Sequence, residues 1–414
     1  MFPTRIFYGW WITASAFTVL FINAGTGVYA YSLYVKPLQT EFGWSRGEIM
    51  LGFAIWSVAS GLAAPFVGRF VDRYGPGRSV LAGGIAAGVA CVQLGSVSSL
   101  MLYYAAYALL GLSTCATGSI PVSSMISNWF VTKRGMALGI MSAGIGAGGL
   151  LFAPLLGGWL IPDVGWRQAF ITMGVLAVVF LVPVALLVIR TSPSDKGLQP
   201  YGGTLLSAVP QAKKPLSWKA GLAGVVRLRS FWLIACSYFF GAYSQLGLLQ
   251  SQVPYLDDTG FPAVVAAGAL GAVGLFSTLA KLGAGWLCDR IPAKIVWAGS
   301  LALMAAGAAT LMVISPGSPV WLLWIYAVMT GLGMGGWLPT MSLMVSTSFG
   351  LSAYASIFGV IALTFAAGQA AGPAIGGLLV DVTRSYSPVF LMLIAGFLIA
   401  GVTAMIVRPK PAGK

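Results

Sequence analysis

The sequence predicts an all-α membrane protein: twelve transmembrane helices in two pseudo-symmetric six-helix bundles. Composition is the first observation behind this. At 58% hydrophobic and 8% charged, with a mean hydropathy of +0.89, the chain lies far from soluble domains, which are about a quarter charged. Segment length is the second, because twelve stretches reach the ~20 apolar residues that a bilayer core demands. The third is an internal repeat at an offset near 217–221. Strands of a membrane barrel would alternate polar and apolar over about ten residues, and no segment does so.

The first set of spans runs over 10–34, 49–68, 79–97, 102–127, 136–160 and 168–189. The second runs over 231–254, 263–287, 295–314, 320–346, 354–380 and 387–407. Between them lies the longest polar stretch, so the predicted domains are a bundle at 1–190, a cytoplasmic linker at 191–229 and a bundle at 230–414. Gly68-Arg69-Phe70-Val71-Asp72-Arg73 returns as Gly285-Trp286-Leu287-Cys288-Asp289-Arg290, Pro37 as Pro254, and Phe170 as Phe390. The Pro154, Gly157, Gly158 group answers Pro373, Gly376, Gly377. Duplicated halves around a midplane site are the mark of a secondary transporter working by alternating access.

A net charge of +14 would suit a nucleic-acid partner, but the positions of the charges argue for orientation instead. Arg5, Arg69, Arg73, Arg78, Lys133, Arg134, Arg190, Lys294 and Arg408 all fall at ends and loops on one side, while the opposite loops hold Lys36, Arg46, Arg167 and Arg384 among six acids. The positive-inside rule then puts both termini in the cytoplasm, in an inner (plasma) membrane, with the basic face against anionic lipid and no nucleic acid bound. The first helix is expected to serve as its own uncleaved signal. Four scattered cysteines read as small core residues, and no histidine is available to shuttle protons.

Lys281 stands apart. It is the one formally charged side chain deep inside an apolar segment, eight residues before the polar boundary at Asp289, roughly 12 Å along a helix axis. A charge at that depth costs about 2.5–3.5 kcal/mol or more and usually marks a substrate or ion path. The competing reading is a snorkelling anchor, since the lysine stem is long and apolar.

Gly68, Asp72, Arg73, Gly75 and Arg78 meet the loop motif G-x-x-x-D-R-x-G-x-x-R, and Gly285, Asp289, Arg290 and Lys294 meet it in part. On this motif the chain resembles the major facilitator superfamily, which implies that fold and a cytoplasmic latch built from Asp72, Arg73, Arg78, Asp289 and Arg290. The stretch Asn128-Trp129-Phe130-Val131-Thr132-Lys133-Arg134-Gly135-Met136-Ala137-Leu138-Gly139 is similar to a signature of monocarboxylate transporters and the related oxalate:formate exchanger, and it adds Arg134 to the gating set. Tyr8-Gly9-Trp10-Trp11 resembles the same branch. In that family an eighth-helix arginine holds the substrate carboxylate, and Lys281, Gly285 and Asp289 reproduce its spacing.

Three departures bear on chemistry. Lysine replaces the arginine, so a compact, strongly hydrated charge stands where a bidentate fork would be. Ser277 occupies the place of an aspartate found in animal members. The helix-eleven region Ile361-Ala362-Leu363-Thr364-Phe365 lacks the exchanger's second cation. One cation matches one carboxylate, because a second negative charge would stay unpaired in low dielectric.

Tyr29 and Ser119 align with positions that line the family's cavity. Ser277, Tyr243, Gln245, Trp337 and Gln369 complete the substrate-binding set, since interior polar groups in hydrocarbon need partners. Each could instead bridge helices. The glycine rows around Gly144 and Gly368 read mainly as packing surfaces. The leading expectation is a secondary active carrier for a small monocarboxylate such as lactate or pyruvate, coupled to protons, monomeric and without cofactor. The alternatives are an anion exchanger of the oxalate:formate type or an exporter of another small molecule. An enzyme is not expected, since no nucleophile and base pair, metal cluster or phosphate loop appears.

Overall fold

A computed structural model describes residues 7–26, 31–44, 46–202, 224–261, 263–315, 317–351 and 354–407. The first part of the chain forms α1 (Tyr8–Thr26), α2 (Tyr31–Phe42), α3 (Arg46–Tyr74), α4 (Pro76–Gly95), α5 (Leu100–Thr117), α6 (Ser119–Trp129), α7 (Arg134–Leu155), α8 (Ile161–Val164) and α9 (Trp166–Pro183). The second part forms α10 (Arg229–Asp258), α11 (Ala263–Cys288), α12 (Ala293–Val313), α13 (Val320–Met334), α14 (Trp337–Phe349), α15 (Tyr354–Thr383) and α16 (Ser387–Ile406). Among the described residues 11 helices are long and apolar enough to cross a membrane. The predicted first span, 10–34, runs through residues that are not described.

Local chemistry sets the helix ends. Gly75, at φ +87°, turns the chain, and Pro76 opens α4 where its missing N–H costs nothing. Ser99 caps α5 by accepting from Leu102 N at 3.3 Å. The Gly68–Arg73 motif lies inside α3, which continues to Tyr74, not in a loop beyond residue 68.

Contacts divide the chain into two units, residues 1–218 with 351–359, and residues 219–350 with 360–414. The same seam recurs inside each. A Cβ on Gly144 or Gly148 of α7 would lie 2.5 or 2.4 Å from the carbonyl oxygens of Phe17 or Phe21 in α1. In the second unit a Cβ on Gly368 or Gly372 of α15 would lie 2.2 or 2.0 Å from those of Phe239 or Tyr243 in α10. No side chain fits at these four places, so the helices touch backbone to backbone.

The fourth span of each set is broken in mid-course. In the first unit Gly118 (φ −84°, ψ −153°) separates α5 from α6. An extended residue inside a membrane helix frees carbonyls that need donors. Ser79 Oγ donates to Ala116 O at 2.8 Å, and Asn23 Nδ2 donates to Thr114 O at 3.1 Å and to Thr117 Oγ1 at 2.9 Å. Trp56 Nε1 adds a bond to Thr114 Oγ1 at 3.2 Å. In the second unit Gly335 and Gly336 separate α13 from α14, and Thr340 Oγ1 donates back to Gly336 O at 2.6 Å.

At one end of the first unit, Glu41 forms a clasp. Its Oε1 lies 2.6 Å from Arg167 Nη2, and Trp166 Nε1 donates to its Oε2 at 2.7 Å. Arg167 Nη1 also donates to Gly95 O and Val97 O at 3.2 and 3.1 Å, joining α2, α4 and α9. The hydrogen bond from Arg167, and then that from Trp166, holds the Glu41 carboxyl below the usual carboxylate range.

Candidate functional site

Lys281 projects from α11 and is buried, with 6% of its surface exposed. It makes no hydrogen bond or ion pair among the described residues. Glycines explain how the chain accommodates it. A Cβ on Gly335 would lie 2.4 Å from Ala280 Cβ and 2.7 Å from Lys281 N, and one on Gly331 would lie 2.7 Å from Val273 O. Helix α13 therefore presses its backbone onto α11 at the level of the lysine. Ser277, one turn earlier on α11, is buried as well.

Trp337 begins α14 just after the break, and its ring stacks on Phe365 with centroids 4.7 Å apart and planes 13° from parallel. Gln245 is buried with its Oε1 lacking a hydrogen-bond partner, as are Ser244 Oγ, Gln252 Nε2 and Thr330 Oγ1 in the same unit. Such orphaned groups are uncommon in native interiors and call for a water, ion or ligand. Tyr243 differs. Its hydroxyl donates to Met392 Sδ at 2.8 Å, which ties α10 to α16. Gln369 sits half-buried on α15. These residues belong to the second unit; in the first, Ser119 opens α6 and is half-buried. Tyr29 lies outside the described residues.

Among the residues expected to form the latch, Asp72 has the clearest partners. Its Oδ1 and Oδ2 accept from Ala355 N at 3.0 Å and Ser356 N at 2.8 Å, at the start of α15. A carboxylate there satisfies two of the four orphan amides of a helix N-terminus and faces its positive dipole end. The backbones meet closely, since a Cβ on Gly68 would lie 2.2 Å from Ala355 O and one on Gly359 2.4 Å from Ala64 O. Arg73 lies over the Tyr74 ring at 5.1 Å, and Arg290 over Trp286 at 3.6 Å. Arg78 and Asp289 are exposed. Arg134 turns back on its own loop, donating from Nε to Phe130 O at 2.7 Å and from Nη2 to Ser127 O at 3.0 Å.

Sequence reasoning missed Asn23. It reads as an ordinary polar residue in a first span, yet it holds the broken fourth span in place, and the one available signal was Gly118 within an apolar run.

Repeated six-span halves, each with a broken fourth span, and a buried ammonium in the second define a polytopic membrane carrier. The chain belongs to the Major Facilitator Superfamily, whose family model matches residues 15–282 and 255–414. Among curated proteins it is 27% identical over 268 residues to the oxalate:formate antiporter of Oxalobacter formigenes, a match covering 64% of this chain and 59% of that protein. It is 26% identical over 407 residues to mouse (Mus musculus) monocarboxylate transporter 11, covering 95% of this chain and 86% of that protein. In structure it resembles the Escherichia coli fucose:proton symporter FucP, with a TM-score of 0.74 at 14% identity over 96% of this chain and 98% of the other. That likeness speaks for the fold alone.

Proposed function

We propose that this transporter is a secondary active carrier for a small monocarboxylate of the lactate or pyruvate class, with Lys281 holding the carboxylate. The observation that carries the reading is a buried ammonium with no anionic partner among the described residues. An isolated cation in hydrocarbon is unfavourable unless an anion joins it, and a substrate carboxylate supplies that charge. Ser277 lies within one turn for a further hydrogen bond, and the stacked Trp337 and Phe365 supply apolar contact for a short carbon skeleton. The bundles at 1–190 and 230–414 act as the moving bodies, both termini face the cytoplasm, and the carrier works as a monomer in the inner membrane.

Coupling to protons is part of the proposal. Carboxylate binding favours the protonated ammonium, so by linkage protonation favours carboxylate binding to the same extent. The alternative is exchange of anions, which the match to the Oxalobacter antiporter favours. A dianion such as oxalate would then call for a second buried cation.

Uptake of labelled lactate, pyruvate and oxalate into liposomes, with and without an inward proton gradient, tests both readings. The monocarboxylates should accumulate on the gradient and oxalate should compete poorly. Lys281→Arg, whose guanidinium stays charged, should lose gradient-driven accumulation while keeping some exchange. Accumulation that persists in Lys281→Arg would move the proton to the carboxylic acid itself or to Asp72 or Asp289.

A further inference from the structure

The linker's first residues do not leave the first unit at once. Ile189 to Gly202 crosses the basic end of that unit, the end assigned above to the cytoplasm, and meets two turns on the way. Trp129 Nε1 donates to Arg190 O at 3.0 Å, and Asn128 Nδ2 donates to Thr191 O at 3.2 Å. On the other side a Cβ on Gly75 would lie 2.5 Å from Thr191 Oγ1, and one on Gly77 3.2 Å from Ile189 Cγ2. Ser192 and Asp195 then form a capping box over a short 3-10 turn, and Gly197 at φ +64° reverses the chain.

The segment ends by pairing with the signature as a strand pairs with a sheet edge. Tyr201 N donates to Trp129 O at 2.9 Å, while Val131 N and Thr132 N both donate to Tyr201 O, at 3.0 and 3.1 Å. The Tyr201 ring enters an aromatic box, with centroids 5.3 Å from Phe7, 5.7 Å from Phe130 and 6.2 Å from Trp10. Lys133, held at φ +57°, brings its Nζ 5.7 Å from the same ring. Gly202 follows at φ +76°, and a Cβ there would lie 1.9 Å from Thr132 Oγ1, so the chain passes where only glycine fits.

We propose that the Asn128–Gly135 stretch is a receptor for the chain's own linker: residues 190–202 bind it as a strap with Tyr201 as the plug, tying the turns at 75–78 and 128–135 into one body.

Hydrogen exchange read by mass spectrometry on the full-length protein in lipid nanodiscs tests this without any substrate. Peptides covering 72–80, 128–135 and 190–202 should exchange slowly in the wild type. Tyr201→Ala should speed all three by roughly thirtyfold, the scale of local opening when one aromatic anchor is lost, while peptides from α9 and from α4 beyond residue 80 stay unchanged. Tyr201→Phe keeps the ring and should match the wild type; Gly202→Ala should resemble Tyr201→Ala. Fast exchange of 190–202 in the wild type would overturn the strap, and unchanged exchange in Tyr201→Ala would overturn Tyr201 as its plug. Release of 190–202 without faster exchange at 72–80 would refute the tie between the two turns.

Discussion

The two broken spans invite comparison. At Gly118 in the first unit, the carbonyls freed by the break are taken up by Asn23 and Ser79, while Trp56 binds the Thr114 hydroxyl beside them. At Gly335 and Gly336 in the second unit, the break lies flush against α11 beside a lysine with no partner among the described residues, with the Thr330 hydroxyl unsatisfied nearby in sequence. One repeated design has thus been filled in two ways. In the first unit the carbonyls freed at the break are closed by donors, and only the Ser123 hydroxyl five residues on lacks a partner there; in the second the break stands open beside a buried ammonium unpaired among the described residues.

The largest expected effect strikes the open side. Lys281→Ala or Lys281→Gln should insert normally and weaken binding of pyruvate or lactate by about thirtyfold or more, the usual result of deleting one partner of a buried charge pair. Equilibrium binding on purified protein would measure it, and a neutral variant that binds as well as the wild type would end the assignment. Next comes Gly335→Val, whose side chain would collide with Ala280 and the Lys281 backbone. Overpacking of this kind should lower stability by about 1–3 kcal/mol, visible as a drop in the thermal unfolding midpoint, and pyruvate binding should fall with it.

Effects on the closed side should appear in stability and not in affinity at Lys281. Asn23→Ala removes the donor to Thr114 O and Thr117 Oγ1, and leaving such groups unsatisfied costs about 1–3 kcal/mol. Ser79→Ala removes one bond and should cost less. Thermal unfolding of the two variants side by side would check the order; a smaller shift for Asn23→Ala would contradict this account of the joint.

The smallest effect belongs to the Glu41 clasp. Its folded-state value is depressed, so its contribution is complete above the ordinary carboxylate range and fades as pH falls through the lowered value. Both partners are well exposed, and solvent screening limits the gain to about 1 kcal/mol or less. Glu41→Gln should lower the unfolding midpoint slightly at neutral pH and make no difference in strong acid. A larger difference in acid than at neutrality would contradict the sign.

Much of this was legible in the chain. Apolar runs located most of the described helices to within a few residues, α3 overrunning its predicted end by six, and the duplicated GRFVDR-type stretch exposed the two halves because repeats survive in sequence. Lys281 was legible because a lone charge in hydrocarbon contradicts its surroundings. What escaped were relations across long separations. Asp72 meets amides 283 and 284 residues away, and Asn23 meets a carbonyl 91 residues on; local spacing carries no record of such partners. The breaks at Gly118 and Gly335 hid inside runs whose hydropathy does not falter, since glycine leaves an apolar average intact while freeing the backbone. Tyr243 shows the converse: a tyrosine in a polar-looking GAYSQLG stretch spends its hydroxyl on Met392.

The four glycines of the recurring seam bear on how such a chain can diverge. At Gly144, Gly148, Gly368 and Gly372 backbone lies against backbone, so the seam admits no Cβ at these four points. Any larger residue there must push the paired helices apart, so within each half tolerance to substitution should be lowest along these two lines of contact.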